Sequence, residues 1–133
     1  MYRKRFGCFL LLFCMGGFCY NLIEILWRGY SHWSMFFVGG SCFHLIGRIG
    51  NRLRSKGALA VGSACALAVT AVEYISGLVV NLRLKLNVWD YSHMFANLHG
   101  QVCLLYTVLW GFLSLLAVPI YRFAEQKVRL MIH

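Results

Sequence analysis

Four apolar runs, each near the length that crosses a bilayer, constrain this chain more than any other feature. They cover residues 6–27, 33–49, 58–80 and 102–120. A membrane-spanning helix needs about 20 residues. Hydrocarbon offers no partner to a backbone N–H or C=O, so such runs are helices. The expectation is an all-α membrane protein: one domain over residues 1–133, a bundle of four transmembrane helices arranged as two hairpins. The first run is longer than a signal-peptide core and lacks a small-x-small cleavage site, so it reads as a retained span.

Composition agrees. Hydrophobic types make up 60% of the 133 residues and charged types only 13%. Soluble domains hold roughly 45–50% apolar residues. A small soluble fold leaves much of its area in water and has no place for this excess. That excludes a soluble globular enzyme, a disordered chain and a disulfide-rich module.

The net charge is +9, from thirteen Lys and Arg against four acids. Ten of the thirteen fall in three places. Arg3, Lys4 and Arg5 precede the first run; Arg48, Arg52, Arg54 and Lys56 separate the second from the third; Arg122, Lys127 and Arg129 follow the last. The other connections hold only Arg28, Arg83 and Lys85. This split places both termini in the cytoplasm of a multi-pass protein of the cell membrane. The basic excess therefore reads as topology, with anionic membrane lipids as partners and no nucleic acid.

Trp27, Tyr30, Trp33, Trp89 and Tyr91 have the placement of interface anchors. Each half has an acid late in its first helix, Glu24 or Glu73, followed by Tyr-Ser-His at 30–32 or 91–93. That pattern suggests a weak parallel repeat. Ala60, Ala64 and Ala68 mark a close-packed face on the third helix, as Gly16, Gly17, Gly39 and Gly40 do on the first two. Leu82–Val88 alternates apolar and polar residues, which predicts an extended piece. Residues 91–100 carry no Lys, Arg, Asp or Glu and suit a re-entrant segment. The six cysteines lie within predicted spans, show no CxxC spacing and read as packed thiols.

Acids inside a membrane are costly and mark function by default. Glu24 and Glu73 both fall near the outer edge of the hydrocarbon by helix arithmetic. Glu24, Arg28 and His32 are spaced by four and would share a face if the helix continued. Asp90, His93, Asn97 and His99 cluster in the second outer connection but match no metal motif, so no metal or cofactor is assigned. His44 falls at mid-membrane, a hydrogen-bonded core histidine or a member of a proton relay. Glu24 and Glu73 are expected to converge with Asp90 and Asn97 on one outward-facing polar site. The chain has no GxxxxGK[ST], GxSxG or HExxH, so neither P-loop hydrolysis nor the common hydrolase chemistries are supported, and no catalytic residue is identified.

The first hairpin reads Glu24-x3-Arg28-Gly29-Tyr30-Ser31-His32-Trp33-Ser34-Met35, then Gly39-Gly40. The second reads Glu73-x3-Gly77-x3-Asn81, Trp89-Asp90-Tyr91-Ser92, Asn97-x2-Gly100-Gln101-x-Cys103, then Tyr106 and Trp110. Over residues 16–112 this resembles the putative ABC-transporter type IV, or CmpB-like, family of small bacterial membrane proteins. The Trp-Asp-Tyr-Ser and Asn-x2-Gly-Gln blocks are the most specific part. The resemblance implies a transporter or permease-like subunit. It also adds Asn81, Ser92 and Gln101 to Glu24, Arg28, His32, Glu73, Asp90 and Asn97 as substrate or ion-site candidates. Four short spans without a nucleotide-binding domain imply a separate ATPase subunit, or a protein that is not an ABC component at all. A homodimer or larger membrane complex is expected, since four helices enclose little interior. Two other readings stay open: a membrane-embedded enzyme acting on a lipid or headgroup, and a structural or regulatory subunit.

Overall fold

A computed structural model describes residues 2–132. It has four α-helices and, among the described residues, no strand. They are α1 (Tyr2–Arg28), α2 (Ser34–Arg52), α3 (Ala58–Gly77) and α4 (Leu104–Ile132). A 3-10 turn, Arg54–Lys56, precedes α3, and a π-helical turn, Leu78–Arg83, follows it directly. The all-α expectation holds.

Among the described residues, three helical stretches are long and apolar enough to cross a membrane: Tyr2–Arg28, Ala58–Arg83 and Leu104–Ile132. By contrast α2 has 19 residues and carries Ser34, Ser41, His44, Arg48, Asn51 and Arg52. It is the more amphipathic helix. Its buried residues Met35, Val38, Cys42 and Ile46 recur at helical spacing.

The contacts gather into two units. One holds the residues up to Arg48 together with those from Leu116 on. In it, α1 and α2 run antiparallel, because glycines on each receive aromatic side chains from the other. A Cβ on Gly16 would come 2.8 Å from Phe43 Cγ, and one on Gly39 would come 2.8 Å from Tyr20 Cγ. On Gly17 and Gly40 it would meet the Phe36 carbonyl at 2.6 Å and the Phe13 carbonyl at 2.7 Å. Small residues at these four places let the backbones approach, as expected for helices in lipid. Leu12 packs with Tyr121, Ala124 and Val128 in the same unit, flanked by Cys8, Phe43 and Ile132. The Tyr121 ring occupies the space above Gly47, and its hydroxyl lies 3.2 Å from His44 Nδ1. His44 is thus half-buried and within hydrogen-bond distance of Tyr121.

The other unit is Ile49–Leu115. Here α3 buries Val61, Gly62, Cys65, Ala66, Val69, Glu73 and Gly77. The expected face of Ala60, Ala64 and Ala68 is the half-buried row beside it. Gly62 decides this. A Cβ there would lie 3.5 Å from the Gly111 carbonyl, so α4 comes closest at that row. Thr70 Oγ1 donates to Thr107 Oγ1 at 2.9 Å along the same seam.

The extended piece expected over 82–88 is not formed. Leu82 and Arg83 complete the π turn, and Lys85 and Asn87 take left-handed backbone angles (φ 55° and 50°) that break a strand. Leu84 N–H donates to the Val79 carbonyl at 2.9 Å and Leu86 N–H to Val80 at 3.0 Å. Residues 91–103 form turns with one isolated bridge, Leu98 to Val102. Among the described residues, no cysteine is in a disulfide.

Candidate functional site

The end of α1 holds the first group of expected site residues. Glu24 forms an ion pair with Arg28, one helical turn away, and the Arg28 guanidinium lies 4.6 Å from the Tyr30 ring centre. Asn21 accepts a hydrogen bond from Ser31 at 3.0 Å. His32 does not continue the face. The helix stops because Gly29 takes φ +84°, a conformation that costs other residues more. His32 instead caps α2: its Nδ1 accepts from the Ser34 N–H at 3.2 Å and lies 2.7 Å from the Ser34 hydroxyl. The shared face of Glu24, Arg28 and His32 is thus corrected to an ion pair and a separate cap.

The second unit holds a buried polar centre. Glu73 is only 4% exposed. Tyr91 donates its hydroxyl to Glu73 Oε1 at 3.2 Å, and the Trp110 indole N–H points to Oε2 at 3.4 Å. One donor comes from the loop, the other from α4. The Tyr91 ring stacks on Tyr106, with centres 4.9 Å apart. Burying a carboxylate is costly unless donors replace its water. Here two aromatic side chains supply such donors while remaining apolar on their other faces.

One turn beyond Glu73 on α3 is Gly77. A Cβ there would lie 2.9 Å from Gln101 Cβ and still closer to its amide oxygen. Gly77 is the gap that admits Gln101. Asn81, also buried, donates to Gln101 Oε1 at 2.8 Å and accepts the Val88 N–H at 2.8 Å. Trp89 donates its indole N–H to the Gln101 carbonyl at 2.9 Å, and Gln101 Nε2 donates to the His99 carbonyl at 2.9 Å. Asn81 and Gln101 therefore bind the 88–103 loop to the end of α3. Trp89 is buried in this clasp rather than anchored at an interface. Trp27, Tyr30 and Trp33 do stand exposed.

The rest of the motif shapes the loop itself. Asp90 Oδ1 accepts the Ser92 N–H at 2.9 Å. Asn97 donates to the carbonyls of Met94 at 2.9 Å and Ser92 at 3.2 Å, and accepts the Gly100 N–H at 3.0 Å. Gly100 needs its positive φ of 72° to make that turn. The Ser92 donor holds the exposed Asp90 carboxyl below its ordinary value, first through the backbone bond. His99 Nδ1 lies 2.8 Å from the Tyr74 hydroxyl. Among the described residues, no three His, Cys, Asp or Glu side chains gather as metal ligands.

Of the expected residues, Glu73, Asn81, Asp90, Ser92, Asn97 and Gln101 belong to this unit, and Glu24, Arg28 and His32 to the other. Tyr91 and Trp110, the donors to Glu73, were not expected there. They lie 18 and 37 residues from it, beyond any local spacing rule.

A family model described as "Putative ABC-transporter type IV" matches residues 6–132. Neither a curated protein nor a solved structure matches the chain.

Proposed function

We propose a transport role centred on Glu73 for this chain, which belongs to the family described as Putative ABC-transporter type IV. It is a membrane protein with three long apolar helices. In our reading α2 crosses the membrane as well, which makes a permease-like subunit of the cell membrane with four spans and both termini cytoplasmic, and Glu73 takes up and releases a proton from the opposite face. The observation that carries this is the burial of Glu73 between a loop donor, Tyr91, and a helix donor, Trp110. The residue lies about 22 Å along α3 from Ala58 at 1.5 Å per residue, within a hydrocarbon layer about 30 Å thick.

The chemistry follows from that asymmetry. A shift of the loop withdraws the Tyr91 hydroxyl and admits water from the loop side. Proton binding then offsets the lost hydrogen bond. The proton leaves to the same water as the loop returns, and the carboxylate regains the Tyr91 hydroxyl beside the Trp110 N–H. Glu24, already paired with Arg28, stabilises the end of α1 instead. ATP-driven work would need a separate ATPase subunit, because the chain has no GxxxxGK[ST] loop.

Lipid discs containing the purified chain, with a pH dye in weak buffer, test this. After an acid pulse the wild type should take up more protons per chain than Glu73→Gln. Equal uptake by the two would reject proton exchange at Glu73.

A further inference from the structure

The segment after α3 exposes apolar and basic side chains alternately. Leu82, Leu84 and Leu86 are 50%, 56% and 42% exposed, and Arg83 and Lys85 between them are exposed as well. Depth gives this pattern meaning. The basic turn Arg52–Lys56 cannot enter hydrocarbon, so Ala58 starts near one edge of it. The 20 residues of Ala58–Gly77 then rise about 30 Å, the thickness of the hydrocarbon layer. The π turn Leu78–Arg83 and Leu84–Leu86 therefore lie at headgroup depth. There, leucines reach down to acyl chains and cations reach up to phosphates.

No acid lies between Glu73 and Asp90. The ion pairs formed elsewhere, Glu24–Arg28 and Glu125–Arg129, involve neither Arg83 nor Lys85. The backbone is fixed for this display. Leu84 and Leu86 are tied back to Val79 and Val80, and Lys85 takes a left-handed turn between them. Asn81 faces inward to the loop clasp, so the polar and apolar groups of 82–86 are left for another partner.

We infer that Leu82, Arg83, Leu84, Lys85 and Leu86 form a binding site for an anionic phospholipid of the leaflet where α3 ends. The cations take the phosphate and the leucines take the upper acyl chain. The site differs from the Glu73 centre and does not depend on proton exchange there.

Amide exchange across residues 82–88 tests this with the full chain in lipid discs. The comparison is phosphatidylcholine alone against phosphatidylcholine with phosphatidylglycerol. Exchange should slow when phosphatidylglycerol is present. The double variant Arg83→Gln/Lys85→Gln should abolish the difference, whereas Arg52→Gln/Arg54→Gln should preserve it. At about fivefold weaker lipid binding per cation removed, the double variant requires far more phosphatidylglycerol for the same slowing. Equal exchange in both discs would overturn the site. So would an unchanged difference in the double variant, or equal slowing by soluble glycerol phosphate, which would show a phosphate site without a lipid.

Discussion

The indole N–H of Trp110 lies 3.4 Å from Glu73 Oε2, joining α4 to the one acid buried in α3. This pairing sets what an amide at residue 73 would do. A glutamine keeps the shape but offers one acceptor and one NH2. With its oxygen toward Trp110 its NH2 must donate to the Tyr91 hydroxyl, so both bonds survive only in that one orientation and both lose the charge of the carboxylate. Glu73→Gln should therefore lower stability by about 1–3 kcal/mol. Trp110→Phe should cost less in the Glu73→Gln background than in the wild type, since the neutral amide is the weaker acceptor for the indole N–H. Thermal unfolding of the single and double variants in one detergent measures this coupling. Strict additivity would show that the two residues do not interact.

Gly77→Ala places a methyl group against Gln101, which is buried and bonded to Asn81. Overpacking of this kind costs about 1–3 kcal/mol. Exchange of the amides at 98–103 should rise in this variant while the α1–α2 amides stay unchanged. Equal protection throughout would mean that the loop is not held through Gln101.

Asp90 gives a pH dependence with a defined sign. Its folded carboxyl titrates below the ordinary value because the Ser92 N–H favours the charged form. Its contribution is thus present above the unfolded carboxyl's value and lost as pH falls through the lowered folded one. Asp90→Asn keeps an acceptor for Ser92 and removes the titration. Acid unfolding of the loop, followed by amide exchange, should flatten in that variant. An identical acid profile would assign the dependence to another group.

The apolar runs revealed the helices, because hydrocarbon forces that structure on any run of this length. They did not reveal where each helix ends. The expected span 102–120 became Leu104–Ile132, since Tyr121–Ile132 lacks a breaker and good helix formers carry the turn past the membrane edge. Glu73 stood out as a charge within an apolar run. Its donors did not, because each depends on a contact set by folding of the 88–103 loop and packing of α4. Asn81 and Gln101 look like ligand residues in sequence, yet their polar atoms hold the loop. Sequence spacing does not distinguish those roles.

Topology has its own measurement. Lys56→Cys, in a background without the native cysteines, should resist an impermeant thiol reagent added outside intact cells and react once the membrane is opened. Labelling from outside would reverse the proposed orientation.

Proton exchange at Glu73 is tested most directly by infrared difference spectroscopy of the full chain in lipid discs as pH is lowered. The expected signal is a C=O band of a buried carboxylic acid that grows in the wild type and is missing from Glu73→Gln/Trp110→Phe. If that band persists in the double variant, or never appears at any pH where the fold holds, Glu73 does not exchange a proton and the proposed role is wrong.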